Sequence, residues 1–75
     1  MTVKIDGTKV RELRESLYYS QRELSRLSGI SNETIARVEA AEQLDVLGAT
    51  IRKLAEGLGV APDDLVVSPG KVGAR

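Results

Sequence analysis

The 75-residue sequence contains no cysteine and no histidine. The first absence excludes disulfides and thiolate metal sites, and the second removes the commonest general base and metal ligand. Aromatic residues are also scarce, with two tyrosines and neither tryptophan nor phenylalanine. A chain this small has little room for a concave pocket, and no base is placed to activate a serine or lysine. The sequence therefore predicts a protein that is not an enzyme and binds neither a metal nor a cofactor.

Long apolar runs and a net charge are missing as well. No stretch approaches the roughly 20 apolar residues of a membrane helix, and residues 1–7 lack the apolar region of a signal peptide. Eleven basic residues balance eleven acidic ones, so net charge gives no general attraction to nucleic acid. Residues 1–37 hold seven basic against five acidic residues, which leaves +2 there and −2 in the remainder. We expect a cytoplasmic protein with no membrane partner, whose N-terminal half would face any polyanion.

Apolar residues recur at helical spacing along most of the chain, which predicts four helices and a short fifth. The first begins after Asp6 or Thr8, and the second begins at a capping box over Ser20–Glu23. Ser31 caps the third, which lacks a glycine or proline stop and is predicted to run past Ala41. The apolar positions that define the first, third and fourth helices are Val10, Leu13, Leu17, Ile35, Val38, Leu47, Ile51, Leu54 and Leu58.

The two ends of the chain carry weaker patterns. Residues 2–5 alternate weakly, which is compatible with a short strand or with disorder. Pro62, followed by two aspartates, favours a last short helix through about Val66. Residues 68–75 have no pattern and are predicted to be a flexible C-terminal tail. The rest of the chain, residues 1–67, is predicted to form one domain.

The second and third predicted helices are joined across residues 28–30 in the proportions of a helix-turn-helix. Gly29 tolerates a positive φ, and Ser25 is small where the two helices approach each other. The apolar residues that would fix the interhelical angle are Leu24, Ile30, Ile35 and Val38. Such turns are common between helices, so this geometry alone is weak evidence for DNA binding.

The run from Ser20 to Glu39, SQRELSRLSGISNETIARVE, closely resembles the lambda-repressor-like (Xre-type, Cro-like) helix-turn-helix family. Residues 54–65, LAEGLGVAPDDL, resemble the family's fourth and fifth helices, so the likeness covers roughly residues 6–66. The resemblance implies an all-α, compact five-helix DNA-binding domain, with the helix-turn-helix at about 21–41.

The same resemblance implies a sequence-specific transcriptional regulator, a dimeric repressor on a palindromic operator. Its third helix, about 32–42, would enter the major groove of double-stranded DNA. Such a protein would be nucleoid-associated when bound to DNA. We expect the surface of its homodimer to involve the fourth and fifth helices with Leu65, Val66 and Val67.

The outward stripe of the third helix and the resemblance together assign the candidate DNA contacts. Base readout falls to Asn32, Glu33 and Arg37, whose side chains suit the edges of adenine, cytosine and guanine. Glu33 is equally explained as a first-turn acid that stabilises the helix dipole, and Ser31 as an N-cap. The amide of Gln21 would bridge a phosphate and a side chain of the recognition helix. The expected phosphate contacts are Arg11, Arg14, Ser20, Gln21, Arg22, Ser31 and Thr34.

Arg14 and Glu39 match a pair that the family forms between its first helix and the end of its recognition helix. Glu39 follows Val38 at the edge of the buried face, where an unpaired carboxylate is costly. We therefore expect a structural ion pair, in which Arg14 keeps a spare donor for a phosphate.

The segment after Glu39 departs from the family, which usually continues with Asn-Gly and a basic residue. This chain reads AAEQLDVL over residues 40–47, so half of the expected phosphate clamp is absent. Fewer neutralised phosphates predict weaker binding with a shallower salt dependence. Zero net charge, the acidic residues and the expected exposure of Leu44, Val46 and Leu47 favour an alternative. In that alternative the chain is a protein-interaction or antitoxin-like module of the same fold, with a toxin or another regulator as its partner.

Overall fold

The computed structural model describes residues 2–67, and the predicted tail at residues 68–75 lies outside that range. The elements follow in the order β1 (Thr2–Asp6), α1 (Gly7–Ser16), α2 (Gln21–Ser28), α3 (Asn32–Ala41), β2 (Gln43–Leu47) and α4 (Gly48–Leu58). A 3₁₀ turn over Pro62–Leu65 stands in place of the predicted fifth helix. The mostly helical fold is broadly consistent with the predicted all-α class, but the prediction of five helices was wrong, because the described residues form four α-helices and a two-stranded sheet. Within the described range no helix is both long enough and apolar enough to cross a membrane.

Side-chain caps set the starts of the first three helices. The Asp6 carboxylate accepts a first-turn hydrogen bond of 3.1 Å, so α1 begins directly after Asp6 rather than after Thr8. The predicted capping box over Ser20–Glu23 is present, and Ser31 caps α3. Gly29 ends α2 in the left-handed conformation, with a φ of 78°. These local signals are read correctly from the sequence because each depends on neighbours within four residues.

The strand β2 replaces the predicted continuation of the third helix. That helix, expected over about 32–42 and beyond, ends at Ala41 because Glu42 adopts a positive φ of 67°. The next five residues are extended and pair antiparallel with β1, which settles residues 2–5 as strand rather than disorder. The register is Thr2↔Leu47, Val3↔Val46, Lys4↔Asp45, Ile5↔Leu44 and Asp6↔Gln43. The long-range pairing overrides the local helix propensity of residues 42–44.

Alternation along β2 decides which of its apolar residues are exposed. Val46 is 9% exposed and Leu44 is half-buried, because both lie on the face of the sheet that covers the core. Leu47 follows Val46 and so lies on the opposite face of the sheet, where 58% of its surface is exposed. The expectation of three exposed apolar residues in this segment was therefore wrong for two of them.

The hydrophobic core draws on every element. Its members are Ile5, Val10, Leu24, Ile35, Val38, Val46, Ile51, Leu54, Ala55, Leu58 and Leu65. Leu65 is completely buried, so it is unavailable to the dimer surface that the sequence predicted for it. Val66 and Val67 are half-buried beside β1, where the Val67 N–H donates to the Lys4 carbonyl at 3.0 Å.

Gly7 lies where the start of α1 meets the end of α3. Its N–H donates to the Glu42 carbonyl oxygen at 2.6 Å. A β-carbon at Gly7 would overlap the carbonyl oxygen of Val38, so no other residue fits without backbone movement. This contact ties the first helix directly to the C-terminus of α3.

The junction predicts a large difference between two glycine substitutions. Gly7→Ala should destabilise the domain by about 1–3 kcal/mol or more, because the added methyl group forces two backbones apart. Gly48→Ala is the matched control, since a β-carbon there meets nothing within 4 Å. Urea unfolding followed by circular dichroism would compare the two, and equal midpoints would refute the proposed close contact.

Candidate nucleic-acid interface

The helix-turn-helix is held together from inside the core. Leu24 of α2 and Ile35 and Val38 of α3 are fully buried, which locks the angle between the two helices. On the other side of α2, a β-carbon at Gly57 would lie 3.1 Å from side-chain atoms of Leu24 and Ser28. The small glycine therefore allows α4 to approach α2 closely. The result is a rigid support under the surface of α3.

A bidentate ion pair joins α1 to the last turn of α3. Arg14 Nε donates to Glu39 Oε2 at 2.8 Å, and Arg14 Nη2 donates to Glu39 Oε1 at 3.0 Å. Only 12% of the Arg14 side chain and 5% of the Glu39 side chain are exposed. Hydrogen bonding to Glu39 raises the pKa of Arg14 above its ordinary value, and burial opposes this rise only in part. The guanidinium therefore remains charged.

Two further hydrogen bonds extend this pair to the start of α2. Arg14 Nη1 donates to the Tyr19 carbonyl oxygen at 2.7 Å, just before α2 begins. Gln21 Nε2 donates to Glu39 Oε1 at 3.1 Å, so the first residue of α2 is tied directly to α3. We call the side chains of Arg14, Gln21 and Glu39 the interhelical cluster. It binds α1, α2 and α3 to one another at a single point.

A polar groove of about 270 Å³ opens beside the interhelical cluster. The residues that line it are Arg11, Arg14, Gln21, Ala36, Glu39 and Ala40. The groove is open on its α3 side because Ala36 and Ala40 have small side chains, and larger residues at these positions would fill the groove. The guanidinium groups and the free N–H groups at the start of α2 suit an oxyanion.

The candidate base-reading residues lie on the outer surface of α3. Asn32, Glu33 and Arg37 are all exposed, and Ala36 and Ala40 continue the same stripe into the groove. Within residues 2–67, no ion pair or side-chain hydrogen bond holds any of these three polar side chains. They are therefore available to donors and acceptors outside the protein.

The other candidate phosphate contacts are distributed around this surface. The Ser20 hydroxyl accepts the Glu23 N–H at 3.0 Å in the capping box. The Ser31 hydroxyl donates to Thr34 Oγ1 at 2.9 Å, which leaves the Thr34 hydroxyl proton free. Arg22, at the second position of α2, is exposed.

Arg11 is exposed and donates from Nε to Glu15 Oε2 at 3.1 Å. The structure thus brings Arg11, Arg14 and Gln21 together around one groove. The remaining candidates lie outside that groove.

Sequence reasoning missed two parts of the site. The carbonyl oxygen of Tyr19 is an anchor for Arg14, but a backbone acceptor leaves no trace in residue type. The groove itself depends on the distance between the first and third helices, which the sequence does not encode locally. Ala36 and Ala40 offered the one available signal, because two small residues one turn apart keep a helix face open.

The end of α3 lacks a positive clamp. Residues 38–51 contain no lysine or arginine. Across the sheet, Lys4 is already paired, because its Nζ lies 3.8 Å from the Asp45 carboxylate. Glu42, immediately after α3, is exposed. This surface is therefore neutral to acidic, as the sequence indicated.

Comparison with known proteins identifies relatives of the domain. The sequence model of a helix-turn-helix family (HTH_3) matches residues 10–65, well over half of the chain. In structure, the chain is similar to the restriction-modification controller protein C.AhdI from Aeromonas hydrophila, with a TM-score of 0.71 and 34% identity. That similarity covers 77% of this chain and 86% of the controller protein.

Two curated proteins are similar in sequence. The "Uncharacterized HTH-type transcriptional regulator RghRB" of Bacillus subtilis is 35% identical over 68 residues, 91% of this chain and 49% of the regulator. The "Putative HTH-type transcriptional regulatory protein PF1851" of Pyrococcus furiosus is 40% identical over 50 residues, 67% of this chain and 16% of that protein. The chain thus spans less than half the length of either curated relative.

The interhelical cluster predicts a stability difference between two glutamates. Glu39→Ala should cost about 3 kcal/mol, because it leaves the Arg14 guanidinium buried without its carboxylate. Glu15→Ala, which breaks the exposed pair with Arg11 and a longer 3.9 Å contact with Arg14 Nη2, should cost about 0.5 kcal/mol or less. Thermal and urea unfolding would measure both changes. Similar losses in the two variants would contradict the structural role given to the cluster.

Proposed function

Because the chain belongs to the lambda-repressor-like helix-turn-helix family, we propose that it is a sequence-specific DNA-binding transcriptional regulator. The observation that carries the proposal is the interhelical cluster of Arg14, Gln21 and Glu39. It holds the start of α2 against α3 so that the polar groove and the exposed stripe of α3 are continuous. A duplex whose major groove takes α3 would meet both surfaces at once.

We assign base readout to the exposed stripe of α3. Arg37 carries the paired donors that match the O6 and N7 atoms of guanine, and Asn32 suits the N6 and N7 atoms of adenine. Glu33 accepts from the N4 amino group of cytosine in the same surface, or supports the first turn of α3 through its charge. Each well-formed contact of this kind is worth about 1–3 kcal/mol of discrimination between bases.

We assign the polar groove and its surroundings to phosphate. A phosphate oxygen in the groove would accept from the start of α2 and from the N–H groups that Arg14 does not donate to Glu39 or Tyr19. Arg11 would exchange its exposed contact with Glu15 for a phosphate. The other proposed phosphate contacts, by side chain or through the caps, are Ser20, Gln21, Arg22, Ser31 and Thr34.

The regulator is proposed to act as a homodimeric repressor. A two-fold dimer would present two copies of α3 about 34 Å apart, which matches palindromic half-sites one helical turn apart. Binding of this kind would place the protein in the cytoplasm at the nucleoid. C.AhdI, a controller protein, supports a regulatory role for this fold.

The direct experiment is an unbiased selection from a random duplex library at near-physiological salt, followed by titration of the selected sequence. We expect a palindrome that binds with a dissociation constant of about 10⁻⁸ M or tighter and a clear salt dependence. Sedimentation of the protein with and without the selected duplex would give the number of chains bound. Micromolar binding without enrichment of any sequence would overturn the proposal.

A second candidate function is a protein-interaction or antitoxin-like module of the same fold, whose DNA binding is weak or needs a partner. One observation favours it: Leu17, Tyr18 and Leu27 are 42%, 92% and 55% exposed. Leu17 and Leu27 line a common groove, and the neighbouring Tyr18 has a positive φ of 61°, which is uncommon for a tyrosine. Failure of the selection would direct attention to this surface.

The assignment of base readout to α3 predicts that one of two exposed arginines, and not the other, affects discrimination between DNA sequences. Arg37→Ala should remove discrimination at one base-pair position of each half-site while leaving most of the affinity for random duplex. Arg52→Ala removes the same charge from the exposed side of α4 and should leave discrimination unchanged. Binding titrations against operator variants would separate the two outcomes. Unaltered discrimination in the Arg37 variant would show that this residue does not read bases.

A further inference from the structure

Glu42 is poorly suited to its position in both its backbone conformation and its charge. Its φ of 67° and ψ of −46° lie in a region that residues with a side chain rarely adopt. Its carboxylate follows the last turn of α3, where the negative end of the helix dipole disfavours an acid. Within residues 2–67, neither an ion pair nor a hydrogen bond holds that carboxylate. A glycine would remove both the backbone strain and the unfavourable charge.

The backbone conformation at this position has a structural purpose, but the side chain does not contribute to it. The turn at Glu42 directs its carbonyl oxygen to the Gly7 N–H and brings β2 into register with β1. The hydrogen bond to Gly7 uses a main-chain atom of Glu42, and the strand pairing begins at the next residue, Gln43. Neither involves the Glu42 side chain. The fold therefore explains why the chain turns here without explaining why the turning residue is a glutamate.

The position of Glu42 relative to bound DNA follows from the length of α3. Ten residues span about 15 Å along a helix axis, whereas the major groove is about 12 Å wide. On the proposed docking, with the first turn of α3 at the base edges, the residue after its C-terminus would lie about 15 Å further along the axis, where the straight helix leaves the curving groove beside a sugar–phosphate strand. Residues 38–51, which flank Glu42 along the chain, contain no lysine or arginine, and none of the ion pairs among residues 2–67 involves Glu42.

From these observations, and on the basis of the proposed function, we infer that Glu42 is an electrostatic brake on DNA binding. Its carboxylate repels the phosphates next to the end of α3 and keeps affinity for any duplex below the level that the fold would otherwise reach. Operator occupancy then depends on the base contacts of the α3 stripe. The brake acts through charge, so salt weakens it.

The test compares two exposed glutamates near helix C-termini. Glu42→Gln removes the charge and keeps the strained backbone, and Glu56→Gln makes the same change in the last turn of α4. Affinities would be measured for the selected operator and for a random duplex at about 50 mM and about 200 mM salt. Glu42→Gln should tighten binding to both duplexes by about threefold to tenfold at low salt, with a smaller gain at high salt. Glu56→Gln should change both affinities by less than about twofold.

A third variant separates charge from backbone strain. Glu42→Gly should bind DNA as tightly as Glu42→Gln, and it should also raise the melting temperature because glycine accepts the positive φ. Equal affinities of the Glu42→Gln and Glu56→Gln variants would overturn the brake while leaving the proposed function intact. Weaker operator binding by Glu42→Gln would also overturn it, because the carboxylate would then make a favourable contact. Absence of DNA binding in every variant would overturn the proposed function and the brake together.

Discussion

The buried ion pair between Arg14 and Glu39 is the constraint on which the candidate interface depends. Two charges that are almost fully removed from water are tolerated only when both are paired with good geometry. Here the carboxylate receives two donors from Arg14 and one from Gln21. Three helices must therefore keep one relative arrangement, because any shift would break hydrogen bonds to charges that are largely removed from water. The polar groove beside the pair is a consequence of that arrangement.

A second contact between α1 and the C-terminal end of α3 lies at the junction of Gly7 and Glu42. There the start of α1 meets the end of α3 by main-chain contact. The strand β1 ends just before Gly7, and β2 begins just after Glu42. The C-terminal half of α3 is thus held by two contacts, side-chain charges at the interhelical cluster and backbone packing against Gly7, and the buried Ile35 anchors its first half. A helix supported in this way presents its outer stripe with little freedom to tilt, which is what direct readout of base edges requires.

The net charge of zero hides an uneven distribution of charge between the groove and the end of α3. The start of α2 and the groove carry Arg11, Arg14 and Arg22, whereas Glu42 follows α3 in a segment, residues 38–51, that contains no lysine or arginine. If the proposed function holds, the domain would approach DNA with one attractive edge and one repulsive edge. Affinity from the phosphate backbone would then be modest, and more of the binding energy would come from Asn32 and Arg37.

The sequence by itself determined the features that depend on near neighbours: the capping box at Ser20–Glu23, the left-handed stop at Gly29 and the helical stripes. Its resemblance to a family also predicted the helix-turn-helix. Only the tertiary structure decided that the chain after α3 is a strand, because the partner of that strand lies about 40 residues earlier in the chain. The burial of Val46 and the groove beside α3 were decided in the same way. Local propensity acts over a few residues, whereas register and burial depend on surfaces that exist only after the chain has folded.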